Sequence, residues 1–202
     1  GNVLPTGEIG KAVQYAISQG VKTVNLSDTA AMGDEMIEAA WQATQNDVLL
    51  VHAAGNEGAA SPEGISFDLS DGQVTSVTRG TFDIRGYVIC VVGVDNESHI
   101  WASSNRAGAS KDWCLAAPSV AVYSATNSGD SDYDVESGTS FAAPAVSGAV
   151  ALLREWYPTL TTPQIVDILL QSATDLGDPG VDEVYGHGLL NIEAAFALAA
   201  TY

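Results

Sequence analysis

Asp47-Val48-Leu49-Leu50-Val51-His52-Ala53-Ala54-Gly55-Asn56-Glu57-Gly58 runs almost unbroken in apolar side chains to Ala54, then stops at a Gly-Asn-Glu-Gly turn. A strand solvated on one face alternates apolar and polar residues; a run like this one is buried on both faces. Residues 47–54 therefore read as a parallel strand that ends in a loop. Upstream, Gly33 to Gln45 places Ile37, Ala40, Trp41 and Thr44 at i, i+3, i+4 and i+7, the spacing of one helix face. Val21 to Leu26 is a short β-branched strand before it. A strand–helix–strand unit of this length implies a parallel pair joined by a right-handed crossover. Gly7 to Gln19 is a further helix, with Ile9, Val13, Ala16 and Ile17 on one face and Gly20 as its stop.

Downstream the pattern repeats. Ala59 to Arg85 is a polar, irregular insertion, with a hairpin expected around Gly72 and Gly80. Tyr87 to Val94 is a third strand, and Cys114 to Ala117 a fourth, ended by Pro118. Val120–Ser124 and Ser131–Glu136 flank Gly129-Asp130 and read as a hairpin. Helices follow at Ser140–Glu155, Pro163–Thr174 and Asn191–Ala200. Thr161 with Gln164 three residues on, and Pro163 in the first turn, mark the start of the second. The fold class is α/β: a mostly parallel sheet flanked by helices.

The composition excludes several functions. At 202 residues and 46% hydrophobic content the chain is one domain's worth, enough to bury a core. Its 25 acidic side chains against 7 basic ones give −18, which opposes binding to nucleic-acid phosphates. No run is long and apolar enough to span a membrane. The chain opens at Gly1-Asn2-Val3 and reads as an internal or processed piece of a longer chain. Its two cysteines, Cys90 and Cys114, lie in apolar strand-like runs, where buried thiols are the ordinary outcome. The acidic residues Asp175, Asp178, Asp182 and Glu183 read as a solvated loop before a cation site.

The chemistry sits in Gly138-Thr139-Ser140-Phe141-Ala142-Ala143-Pro144, followed by the apolar segment Ala145 to Leu153. This places a serine hydroxyl at the N-terminus of a buried helix, among free N–H groups at the positive end of the helix dipole. A serine nucleophile needs that setting, because its attack builds an oxyanion. The stretch resembles the Gly-Thr-Ser-x-Ala-x-Pro signature of the subtilisin-like serine proteases. Ala53-Ala54-Gly55-Asn56 resembles the family's Ala-Ala-Gly-Asn, and Tyr185-Gly186-His187-Gly188-Leu189-Leu190-Asn191 its closing element. The three come in the family's order and cover nearly the whole chain.

The resemblance implies a serine endopeptidase acting by acyl transfer, with Ser140 as nucleophile and Asn56 as oxyanion donor. It implies an extended peptide or protein substrate pairing beside Ser27, with Ala53 to Gly55 walling the main side-chain pocket. Where the family has Ser-Leu-Gly, this chain has Ser27-Asp28-Thr29, and an acidic Asp28 would favour basic substrate residues. It also makes the strands of Cys90 and Cys114 neighbours, so a bridge between them stands beside the reading as thiols. No cofactor is implied; a structural calcium would have no assigned position. The family's Asp and His precede its serine. Here only His52 and His99 do, and neither has the family's context. The chain thus resembles the C-terminal two-thirds of a single peptidase domain that lacks the N-terminal strands. Its Asp and His would come from a segment or chain outside it, and residues 1–202 alone would be inactive. Secretion or cell-surface display is expected. The alternative is a catalytically silent binding or scaffold module. A nucleotide-binding domain lacks a phosphate loop: Gly186-His187-Gly188 has asparagine where a third glycine belongs.

Overall fold

A computed structural model describes residues 6–29, 33–63, 72–76 and 78–202. The opening Gly1-Asn2-Val3 lies outside them, as do residues 64–71 and 77 of the predicted insertion. Four parallel strands form the central sheet: β1 (Thr23–Leu26), β2 (Leu49–Ala53), β5 (Val88–Val94) and β6 (Cys114–Pro118), in the order β1-β2-β5-β6. Every residue of β2 and β5 is buried, as the unbroken apolar runs require. Alternate side chains serve opposite faces. Leu49, Val51, Ala53, Ile89, Val91, Leu115 and Ala117 pack against helices α3 (Thr139–Trp156), α4 (Thr162–Gln171) and α5 (Ile192–Ala199). Val48, Leu50 and Val88 pack against α1 (Thr6–Ser18) and α2 (Asp34–Gln45) on the other side.

Two antiparallel hairpins lie outside this sheet: β3 (Gln73–Ser76) with β4 (Gly80–Asp83), and β7 (Val122–Ala125) with β8 (Tyr133–Glu136). β7 begins two residues later than the sequence pattern suggests, after Ala121 takes φ 54° and breaks the extended run. The capping box on α4 forms as its sequence predicts, with the Thr161 N–H donating to Gln164 Oε1 at 2.9 Å. Helix α4 ends at Gln171, short of the expected Thr174. Thr174 exchanges two backbone hydrogen bonds of 2.8 Å with Leu189.

The two edges of the sheet differ. Beside β6, Ala116 donates to Gly188 O and accepts from Leu190 N, so the closing segment covers that edge. β1 is the other outer strand, and its only strand partner among the described residues is β2. Cys90 and Cys114 lie directly opposite one another in the β5–β6 register. Both are buried and not joined by a disulfide, and burial pushes the Cys114 thiol well above its ordinary pKa.

Candidate active site

The carboxyl ends of parallel strands, where the chain turns from strand to helix, are the usual place for ligand sites in such sheets. β1 runs out into Ser27 and β2 into the Gly55-Asn56 turn, and the start of α3 hydrogen-bonds to both. Thr139, at 0% exposure, joins the two motifs. Its backbone N–H and its hydroxyl both donate to Asn56 Oδ1, each at 2.9 Å. The same hydroxyl accepts from the Gly55 N–H at 3.2 Å. Since Oδ1 is taken twice, the donor end of the carboxamide is oriented away from Thr139. Asn56 Nδ2 lies 3.8 Å from where a Cβ on Gly138 would sit, beside the turn that carries Ser140. Asn56 itself is exposed.

Ser140 is half-buried in the first turn of α3, so its own N–H has no partner one turn back within the helix. Pro144 shapes the site from inside that helix. Proline has no N–H to give the carbonyl four residues earlier, which is that of Ser140. Ser27 Oγ donates to this carbonyl instead, at 2.8 Å. In return Ser140 Oγ donates to Ser27 O at 3.2 Å. Ser27, Asn56 and Ser140 therefore form one constellation. Ala53 and Gly55 are buried, and Asp28, next to Ser27 in the chain, is exposed.

None of the three histidines hydrogen-bonds Ser140 among the described residues. His52 is 1% exposed in β2, and its Nδ1 donates to Ala53 O at 2.7 Å. Burial drives its pKa down to about 4, against the opposing effect of that bond, so the ring is neutral at pH 7. His99 is exposed in the loop after β5, near Asp95 and Glu97. His187 places Nε2 3.1 Å from Asp112 O. The acidic loop turns its carboxylates onto its own backbone: Asp182 accepts from the N–H groups of Asp178, Val184 and Tyr185, and Asp175 from Gly180. No group of three His, Cys, Asp or Glu side chains among the described residues is placed to hold a metal.

Sequence reasoning singles out Ser140 and Asn56 as candidates but misses the side chain that links them. Thr139 lies inside the recognised signature, yet its hydroxyl contact spans 83 residues and depends on the fold. Asn105 and Glu57, which brace the Asn56 loop from behind, carry no local signal.

Residues 2–188 match the subtilase family. Serotype-specific antigen 1 of Mannheimia haemolytica is 40% identical over 165 residues, covering 79% of this chain and 17% of that protein. Subtilisin DY of Bacillus licheniformis is 34% identical over 188 residues, covering 93% of this chain and 61% of that one. The solved structure of the self-cleaved protease domain of PatA superposes with a TM-score of 0.77 at 25% identity, over 98% of this chain and 69% of that one. The chain thus spans less than two-thirds of the length of each of these two sequence relatives.

Proposed function

The chain belongs to the subtilase family, and from that premise we propose that it is the serine-bearing part of an endopeptidase that cleaves peptide bonds by acyl transfer. The observation that carries this reading is the Ser140–Thr139–Asn56 constellation at the start of α3. Ser140 Oγ attacks the scissile carbonyl carbon while its proton passes to a histidine. The Ser140 N–H and Asn56 Nδ2 hold the oxyanion that forms. The tetrahedral intermediate collapses, the C–N bond breaks, and the same histidine protonates the departing amine. Water then repeats the attack on the acyl-enzyme and frees Ser140.

The histidine and its orienting aspartate come from a segment outside these residues. In this chain the Ser140 hydroxyl rests on Ser27 O, a carbonyl that cannot take its proton. One face of α3 supports this reading. On α3, Pro144, Ala145, Gly148, Ala151, Leu152, Glu155 and Trp156 share one exposed side, with a single charge among them. Leu152 is 48% and Trp156 70% exposed. A glycine within a helix costs about 1 kcal/mol against alanine, and nothing lies within 4 Å of a Cβ at Gly148 to require it. Backbone packed closely on that face would. The face adjoins the edge of β1 that has no strand partner among the described residues, and Ser147 Oγ donates there to Asn25 Oδ1. Exposed edges and apolar patches of this kind recruit a partner.

Residues 1–202 alone should therefore be inactive and should not persist as a free monomer. Light scattering and mass spectrometry should find them self-associated or bound to the segment bearing Asp and His. Adding that segment should produce peptide cleavage that neither part shows alone. A stable monomer near 20.9 kDa with no second polypeptide would refute the docking argument. If the completed assembly binds peptides without cleaving them, the chain is a silent scaffold.

An extended peptide lies along Ser27 and Asp28, with Ala53 and Gly55 behind its pocket. Asp28 is exposed there and would attract basic substrate residues. Cleavage of a peptide library by the completed enzyme should lose that preference in Asp28→Asn, and identical profiles would remove Asp28 from the specificity. An enzyme displayed on or released from the cell suits the acidic composition and a relative that is a serotype-specific antigen.

A further inference from the structure

Asn105 lies in the loop that follows β5, 48 residues along the chain from Glu57, and is fully buried. Its carboxamide is used at both ends. Oδ1 accepts from the N–H of Glu57 at 3.1 Å and of Ala59 at 2.8 Å. Nδ2 donates to Ala54 O at 3.0 Å and to Glu57 Oε2 at 3.1 Å. The two ends cannot be exchanged, since that would set oxygen against two acceptors and NH2 against two donors. The Asn105 backbone N–H adds a bond to Gly55 O at 3.0 Å. Residues 54, 55, 57 and 59 are thus all held by one side chain or its own backbone. Residue 56 is held indirectly: its N–H donates at 2.6 Å to Glu57 Oε2, the carboxylate oxygen that Asn105 Nδ2 also bonds.

Gly55 is shaped by the same contact. Its φ is +108°, and a Cβ there would lie 2.3 Å from Asn105 Nδ2. The glycine before Asn56 is therefore required both by backbone conformation and by the approach of Asn105. On the other side Thr139 aligns the Asn56 side chain. The donor is gripped from two directions: Thr139 fixes its carboxamide, and Asn105 fixes the backbone from which the carboxamide projects.

We propose that Asn105 is a positioning residue for the oxyanion donor, setting the 54–59 loop in the shape that presents Asn56 Nδ2 to the reacting carbonyl. This rests on the oxyanion role assigned to Asn56 above. Asn105 is fully buried, so its influence on a substrate passes through Asn56. A misplaced donor forfeits stabilisation that exists only in the transition state, so the loss falls on kcat and leaves KM nearly unchanged.

The test uses the completed enzyme with Asn105→Ala, Asn56→Ala and the double variant. Asn105→Ala should lower kcat by about 30- to 300-fold, approaching the loss on removing the donor itself, with KM within about threefold. In the Asn56→Ala background the same change should cost less than about fivefold, because no donor remains to misplace. Equal, additive losses would mean that Asn105 acts on the structure at large, and would overturn the proposal. Hydrogen exchange supplies a readout independent of turnover. The Glu57 and Ala59 amides should exchange at least about tenfold faster in Asn105→Ala, with Leu49–Ala53 unchanged; unaltered exchange at 57 and 59 would also overturn it. If Asn105→Ala does not fold, Asn105→Asp keeps the volume, replaces the donor by an acceptor and should give the same pattern. Were Asn56→Ala to retain full kcat, the oxyanion reading would fail, and the exchange data would still report whether Asn105 sets the loop.

Discussion

Ser140→Ala should abolish turnover of the completed enzyme, lowering kcat by about 10⁶-fold while peptide binding persists. The magnitude is borrowed from subtilisin, where loss of the nucleophile costs about 2 × 10⁶ in kcat. The direction comes from this chain. Ser140 is the hydroxyl at the N-terminus of α3, and its proton is held only by the weakly placed Ser27 carbonyl at 3.2 Å. Removing Oγ leaves the oxyanion site and the substrate cleft intact, so the residual rate should still exceed the uncatalysed one by about 10³–10⁴. Stopped-time assays at saturating peptide measure this directly. A variant that retains even a hundredth of the wild-type kcat would show that a different group attacks.

Asn56→Ala should lower kcat by about 100- to 1000-fold, or ~2.7–4 kcal/mol of transition-state stabilisation, a range again taken from subtilisin. Its effect should stay out of KM. The planar carbonyl of the bound peptide carries less charge than the tetrahedral oxyanion, so a fixed N–H donor favours the second over the first. Asn56 suits this because its oxygen is committed to two Thr139 donors before substrate arrives. Little reorganisation remains to oppose the reaction. Asn56→Asp should be at least as damaging, since it sets a carboxylate against the developing negative charge. A raised KM at unchanged kcat would mean that Asn56 binds substrate and does not stabilise the oxyanion.

The parts of the fold legible in the sequence are those where one local pattern has one physical reading. Residues 47–54 and 87–94 are apolar without alternation because both faces of β2 and β5 are covered, and only a central parallel strand needs that. The start of α4 is legible because a capping box is a contact within one turn. Ser140 and Asn56 are legible as candidates because each lies in a compact motif. What holds them is not, because it is made across the chain. Pro144 is visible as a helix interruption, but that it leaves the Ser140 carbonyl for Ser27, 113 residues away, follows only from the sheet order. Asn105 is an ordinary polar residue in a loop until β2 and β5 are placed side by side. The two cysteines show the same limit. Apolar runs indicate burial, whereas their direct opposition depends on the register between two strands.

Whether Ser140 is a nucleophile completed from outside this chain is tested most directly by a fluorophosphonate probe. Residues 1–202 would be treated with the probe alone and together with the segment bearing the Asp and His, and the adduct located by peptide mass spectrometry. A single adduct is expected, on Ser140, formed rapidly only when that segment is present and absent from Ser140→Ala. Labelling of another serine, or equally fast labelling of Ser140 in the isolated chain, would contradict it; the second result would make His52 or His99 the base.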